Sequence, residues 1–247
     1  MKVTRLTILP VKGVRASHPE RVEVTGTGIR GDRQFFLVDD RDKLISATRT
    51  GAWLGLTATY DPDAETLAIA GEKKKVELGE PVIADFYGHH KVAGREVVGQ
   101  WAALFTGLAG RPVRLIRADE PNGGRDEHAL TLLGDASTRE LAERSGLDGV
   151  DARRFRMSIE FDGAGAHAED TWNGRDLRIG AVTVRVGGAV PRCAATNRNP
   201  ESGGNDLTTL RLITAYRGAA NRSIPFGVYA DVLTPGVITL GDELTLD

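Results

Sequence analysis

Residues 177–187 read Leu-Arg-Ile-Gly-Ala-Val-Thr-Val-Arg-Val-Gly, with apolar side chains largely alternating with polar or small ones. A period of two puts successive side chains on opposite faces, as in a half-buried strand. The same style recurs outward in both directions: VTRLTILPV at 3–11, RVEVT at 21–25, QFFLVDD at 34–40, LTATY at 56–60, TLAIA at 66–70, RPVRLIRA at 111–118, RMSIEFD at 156–162 and VITLGDELTL at 237–246. Turn signals separate the runs: TGTG at 25–28, Asp61-Pro62-Asp63 and Asn122-Gly123-Gly124. Many short strands with close turns predict a barrel rather than a βαβ sheet.

Helical spacing shows in three places. In GQWAALFTGLAG, Trp101, Leu104, Phe105 and Leu108 share a face and Gly110 is a stop signal. Ser137 with Glu140 three residues on has the form of a capping box, and Gly146 closes that helix. In DLTTLRLITAYRG, Asp206 is the expected cap and Leu207, Leu210 and Ile213 fall on one side. EKKKVELGE at 72–80 reads as a solvated hairpin edge. The fold class is therefore mainly β (α+β), with two β-barrel-like parts and a few short helices. The boundary is placed at Asn122-Gly123-Gly124, giving parts 1–121 and 122–247.

The 247 residues are 40% hydrophobic and 27% charged, with a formal charge of −2, so no overall basic field points to nucleic acid or an anionic membrane. No apolar run reaches the roughly eighteen residues of a membrane span, and Pro10 interrupts an N-terminal stretch too short for a signal peptide. The expected location is cytoplasmic. A single cysteine excludes an internal disulfide and a multi-cysteine iron–sulfur cluster within these residues.

That cysteine, Cys193, lies in VPRCAATNRNPESGG, between Arg192 and a polar, glycine-containing stretch that reads as a loop. A thiolate there is a soft ligand for molybdenum, zinc or copper, or a nucleophile. Zinc lacks support, because none of the five histidines stands in a Cys/His spacing motif and the neighbours His89 and His90 would point to opposite faces of a strand. His128 and His167 are isolated, and no local signature supports a cysteine protease. Cations recur at strand ends and turns: Lys12 in PVKG, Arg33 in GDRQF, Arg49 in SATRTG, Arg156 in RFRMS, and Arg192. Arginine's planar fork suits phosphate and lysine supplies a point charge, although from spacing alone each reads more readily as ordinary surface charge. Neither a dinucleotide fingerprint nor a P-loop is present.

In order along the chain, PVKG, GIRGDRQFFLVDD and LISATRTG, then RFRMSIEFDG, AEDTWNGRDLRIGAVTVRV, PRCAATNRNPESG and FGVYADVLTPGVITLGDEL resemble the MOSC family in its two-part form, an N-terminal β-barrel domain followed by the MOSC domain. Within it the chain is similar to the amidoxime-reducing components and their bacterial counterparts. The resemblance implies a molybdopterin-type molybdenum cofactor with Cys193 as metal ligand. It places phosphate and pterin contacts on Lys12, Arg33, Arg49, Arg156, Ser158 and Arg192, with Ser137 and Thr138 near the start of the second helix, where a helix N-terminus favours anions. Met157-Ser158 replaces the family's Pro-Asn, Gly13 replaces Ser, and Asn197-Arg198-Asn199-Pro200 replaces a segment with an expected Asp, so that Arg198 is expected to alter what approaches the metal. The implied activity is reduction of N-hydroxylated or N-oxide-type small molecules by oxygen-atom transfer. Electrons would come from a separate ferredoxin or flavoprotein. Two alternatives are a sulfur carrier or transferase using a Cys193 persulfide, and a non-enzymatic cofactor carrier.

Overall fold

A computed structural model describes residues 1–218 and 223–247. Its largest sheet has seven strands in the spatial order Lys2–Leu6, Ile159–Asp162, Leu130–Gly134, Pro225–Thr234, Val182–Pro191, Asp176–Ile179, Leu244–Leu246. All neighbours are antiparallel except Leu130–Gly134 beside Ile159–Asp162. The two edges approach each other: Lys2 bridges Glu243, and the amide of Leu244 donates to the Met1 carbonyl at 2.9 Å. The sheet thereby nearly closes into a barrel. Its alternating apolar residues face inward, with Val3, Leu132, Ile159, Phe161, Val182, Val184 and Val228 all buried in one cluster.

The second body is built on a four-stranded sheet ordered Phe35–Val38, Arg114–Ala118, His90–Val97, Leu78–Phe86, with a three-stranded sheet of Ala58–Asp61, Thr66–Ile69 and Glu72–Lys75 beside it. Helix α1 (Trp101–Ala109) closes this core, where Trp53 meets Phe105 edge-on at 5.7 Å. Truncating either ring to alanine removes packing worth about 3–5 kcal/mol. Glu72–Lys75 is an exposed edge strand, as the charge run suggests.

The two bodies are laced together. Lys2–Leu6 lies in the large sheet, and Gly236–Thr239 pairs with Arg21–Thr25 in a small three-stranded sheet. Asn122, at the expected boundary, is 3% exposed; its Nδ2 donates to the carbonyls of Ile29 and Asp32. That turn anchors one body to the other.

Two helix starts differ from expectation. Helix α2 is Asp135–Arg144 with Gly134 at its cap, so Ser137 lies inside the first turn and Glu140 is held by Arg144 instead of closing a capping box. Helix α3 is Thr209–Arg217 with Thr208 at its cap; Asp206 is occupied by Asn199 and Arg154 instead. At α3 a tertiary partner, Arg154, outcompetes the local cap; at α2 Glu169 takes Ser137 while Glu140 pairs with Arg144 of its own helix. Among the described residues no helix is long and apolar enough to cross a membrane.

Candidate functional site

Lys12 and Arg33 reach the same place because their backbones run side by side. The Lys12 amide donates to the Phe35 carbonyl at 2.8 Å, and the Arg33 amide to the Leu9 carbonyl at 2.7 Å. Arg33 and Arg156 both adopt left-handed backbone, with φ of 49° and 55°. Such conformations are costly for non-glycine residues and tend to collect at ligand sites. Arg33 Nη2 donates to the Arg156 carbonyl at 3.0 Å, and Arg156 Nη2 to the Val14 carbonyl at 2.6 Å. Arg192 lies over the Phe155 ring at 5.3 Å, donating to the Phe155 carbonyl and, at 3.3 Å, to Met157 Sδ. Lys12 Nζ donates to the Gly124 carbonyl at 2.9 Å and to Asp126 Oδ1 at 2.8 Å.

Four cations are thus held close together against two carboxylates, Asp32 and Asp126. Burial, then Arg33, push the Arg156 guanidinium down to about 9. Burial likewise brings Arg192 down to about 10, against the pull of nearby Cys193, Tyr229 and Asp126. Lys12 is lowered by burial against the opposing pull of Asp126, with Arg33 and Arg156 lowering it further. Desolvation by its neighbours would raise the exposed Asp126 carboxyl, but Lys12, Arg33 and Arg192 hold it below the usual range. A partly buried cluster in which cations depress one another is short of negative charge, and a bound anion would relieve it. Arg192 Nε is buried without a hydrogen-bond partner among the described residues.

Beside this cluster Cys193 is exposed and free, at the entry to the short 3-10 turn Ala194–Asn197. Thr48 Oγ1, from the other body, donates to Sγ at 3.3 Å. Tyr87 stands half-exposed at the tip of the hairpin between Leu78–Phe86 and His90–Val97; partial desolvation and then Asp126 push its phenol up, with Ser46 and Cys193 nearby. Among the described residues no three His, Cys, Asp or Glu side chains gather as a metal set.

The remaining site expectations fall elsewhere. Arg49 is exposed in the turn next to Thr48, and its charge acts on Asp39. Ser137 is fully buried, donating to Glu169 Oε1 at 2.8 Å and accepting from the His167 amide at 2.8 Å. Glu169 Oε1 also accepts from the Gly134 amide at 3.3 Å, so the chain's own carboxylate occupies the N-terminus of α2. The helix end expected to favour a ligand anion is already filled. Thr138 lines a separate polar cavity with Glu160 and Asp135. Ser158 is paired with Thr131, whose hydroxyl accepts from the Ser158 amide at 2.8 Å. His128 contacts Asp231 at 2.8 Å and His167 contacts Tyr216 at 3.1 Å. Arg198, expected at the approach to the metal, is directed into the facing loop, where it donates to the Ala47 carbonyl. Asp126, Thr48 and Tyr87 also stand at the cluster, and nothing local in the sequence singles them out.

Residues 119–245 match the MOSC domain family model, and residues 1–90 match that of the MOSC N-terminal beta barrel domain. The chain belongs to the MOSC family. Among curated MOSC relatives, mitochondrial amidoxime-reducing component 1 of Xenopus laevis is 25% identical, over 98% of this chain and 81% of that protein. The molybdenum cofactor sulfurase of Caenorhabditis briggsae is 25% identical over 92% of this chain but 33% of its own length. The YUAD protein from Bacillus subtilis superposes with a TM-score of 0.47 at 11% identity, over 99% of this MOSC chain and 94% of its own.

Proposed function

We propose that this MOSC protein binds a molybdenum cofactor of the molybdopterin type and reduces N-hydroxylated or N-oxide-type compounds by oxygen-atom transfer. The observation that carries the reading is the exposed Cys193 thiol next to a cluster of buried Lys12 and half-buried Arg33, Arg156 and Arg192 that is short of negative charge. The MOSC family is associated with this cofactor, and relatives bear the names amidoxime-reducing component and molybdenum cofactor sulfurase.

The residues fit such a group. A metal bound here would take one soft protein ligand, with its other ligands coming from outside the chain. The orphaned Arg192 Nε and the crowded guanidinium groups are donors awaiting a phosphate. When bound, the cofactor supplies the two-electron centre and the acceptor for the oxygen atom. The protein's own tasks are separate from that. Cys193 offers the thiolate, and Thr48 orients it. Lys12, Arg33 and Arg156 hold the phosphate, with Asp126 keeping the Lys12 ammonium in place. The protonated Tyr87 phenol presents a hydrogen-bond donor on the solvent side.

The sulfurase relatives support a second reading, in which Cys193 carries a persulfide. Metal and pterin analysis of protein expressed with molybdate separates the two. Stoichiometric molybdenum and pterin, with amidoxime turnover driven by a reduced viologen, supports the first. A metal-free protein with a cyanide-labile sulfur supports the second, and loaded protein without turnover supports a cofactor carrier.

A further inference from the structure

Arg198 follows the cysteine loop, and its guanidinium spans two bodies. Its Nη1 donates to the Gly203 carbonyl at 3.0 Å within its own loop. Its Nε donates to the Ala47 carbonyl and its Nη2 to the Thr48 carbonyl at 3.4 Å, both across the interface. The Arg198 carbonyl is in turn fixed from behind by Arg154 Nη1 at 3.1 Å, which also takes the Thr196 carbonyl at 3.0 Å.

The backbones confirm how tightly the two loops meet. A Cβ on Gly51 would lie 2.0 Å from the Gly203 oxygen, and one on Gly203 would lie 2.1 Å from the Gly51 oxygen. Neither position accepts a side chain without separating the loops. Farther out, Arg15 donates to the Glu201 carbonyl at 3.2 Å and pairs with its carboxylate at 2.7 Å. The Arg198 bonds and the close Gly51–Gly203 approach therefore hold the turn at 47–51 against the loop after Cys193, and Arg15 ties a second N-terminal segment to it. The side chain placed on the sulfur by this arrangement is Thr48, with Oγ1 at 3.3 Å from Sγ.

We propose that Arg198 is a positioning residue for Cys193: by gripping the carbonyls of Ala47 and Thr48 it holds the Thr48 hydroxyl on the sulfur. An exposed cysteine otherwise samples its χ1 wells freely. Hydrogen bonds to a ligating sulfur also tune a metal centre. The inference rests on the reading of Cys193 as the functional sulfur. It assigns to Arg198 a task that a guanidinium at the pocket mouth would not perform.

The test is a mutant cycle on cofactor-free protein, read as the rate of Cys193 modification by a bulky aromatic disulfide at one fixed pH. Arg198→Met keeps the stem and removes the donors; Arg198→Lys keeps a cation able to reach a carbonyl. Arg198→Met is expected to accelerate modification about three- to tenfold, the worth of one net hydrogen bond. Arg198→Lys should restore most of the protection. In a Thr48→Val background, Arg198→Met should have no further effect, because the contact it maintains is already gone. Equal rates in all variants, or additive effects of the two substitutions, would overturn the proposal. Molybdenum content of the wild type is measured in parallel. Non-additive rates in a protein that takes up no molybdenum would sink the cofactor reading and leave the positioning role. Molybdenum-loaded wild type with an additive cycle would do the reverse.

Discussion

Replacing Arg156 by methionine should make the cofactor-free protein more stable while weakening its hold on anions. Bringing a guanidinium down to about 9 corresponds to a cost on the order of 5 kcal/mol for keeping it charged where it lies, at about 1.4 kcal/mol per pH unit. Against this stands the charge-assisted bond to the Val14 carbonyl at 2.6 Å, worth about 1.5–3 kcal/mol. Methionine keeps the apolar stem and removes both terms. The net is a gain of roughly 2 kcal/mol, or a melting midpoint raised by roughly 4–8 °C for a chain of this size. Because the Arg156 value is depressed, the folded wild type loses its proton before the unfolded chain does, and its own stability rises only above about pH 9. At pH 7 the penalty is constant, so calorimetry in phosphate-free buffer at that pH measures it cleanly. Added pyrophosphate should then raise the wild-type midpoint and raise that of Arg156→Met far less. A variant that melts several degrees below wild type and answers pyrophosphate equally would show that Arg156 is a structural brace, and the charge-shortage argument would fail with it.

Cys193→Ala should melt within about 2 °C of wild type, since an exposed side chain with one hydrogen bond contributes little; elemental analysis should find its molybdenum gone, and full molybdenum-dependent turnover would refute the ligand assignment. Glu160 is buried and pushed up to about 7, chiefly by burial, so the native state keeps a proton that the unfolded chain gives up. Stability should fall by on the order of 3 kcal/mol as pH rises from about 4.5 to 7, and Glu160→Gln should flatten that slope in denaturant titrations. With NADH or NADPH alone the isolated chain should not reduce an amidoxime, whereas a reduced viologen or a separate ferredoxin or flavoprotein should support turnover; robust nicotinamide-driven activity would exclude the partner requirement.

The strands were legible where one face is buried, as in Val182–Pro191 and Arg21–Thr25, because period two survives wherever solvent and core alternate. Helix α1 was legible down to Gly110, which takes the left-handed conformation at its C-cap. The starts of α2 and α3 were not, because Glu169 and Arg154 arrive from distant positions to occupy the polar groups involved. In the site, Lys12, Arg33, Arg156, Arg192 and Cys193 could be picked out by residue type and order, and the structure brings them together. Thr48 and Asp126 could not, since a threonine or an aspartate in a turn has an ordinary local explanation. Arg198 was noticed as unusual, yet which way its fork turns depends on the carbonyls of a loop about 150 residues earlier.

The lacing of the two bodies has a consequence for biosynthesis. Lys2–Leu6 leaves the ribosome well before its sheet neighbour Ile159–Asp162 and before Glu243, the partner that nearly closes its barrel. That strand must therefore wait, unpaired, until residues 159–162 and then Glu243 have been made. Arg5 meanwhile lacks Glu160, the carboxylate that receives it at 2.7 Å. Contacts of such long sequence separation slow folding and expose strand edges to neighbouring chains. The barrel is thus finished only once Glu243 has emerged, and severing the chain at residue 121 would leave Lys2–Leu6 on the wrong fragment.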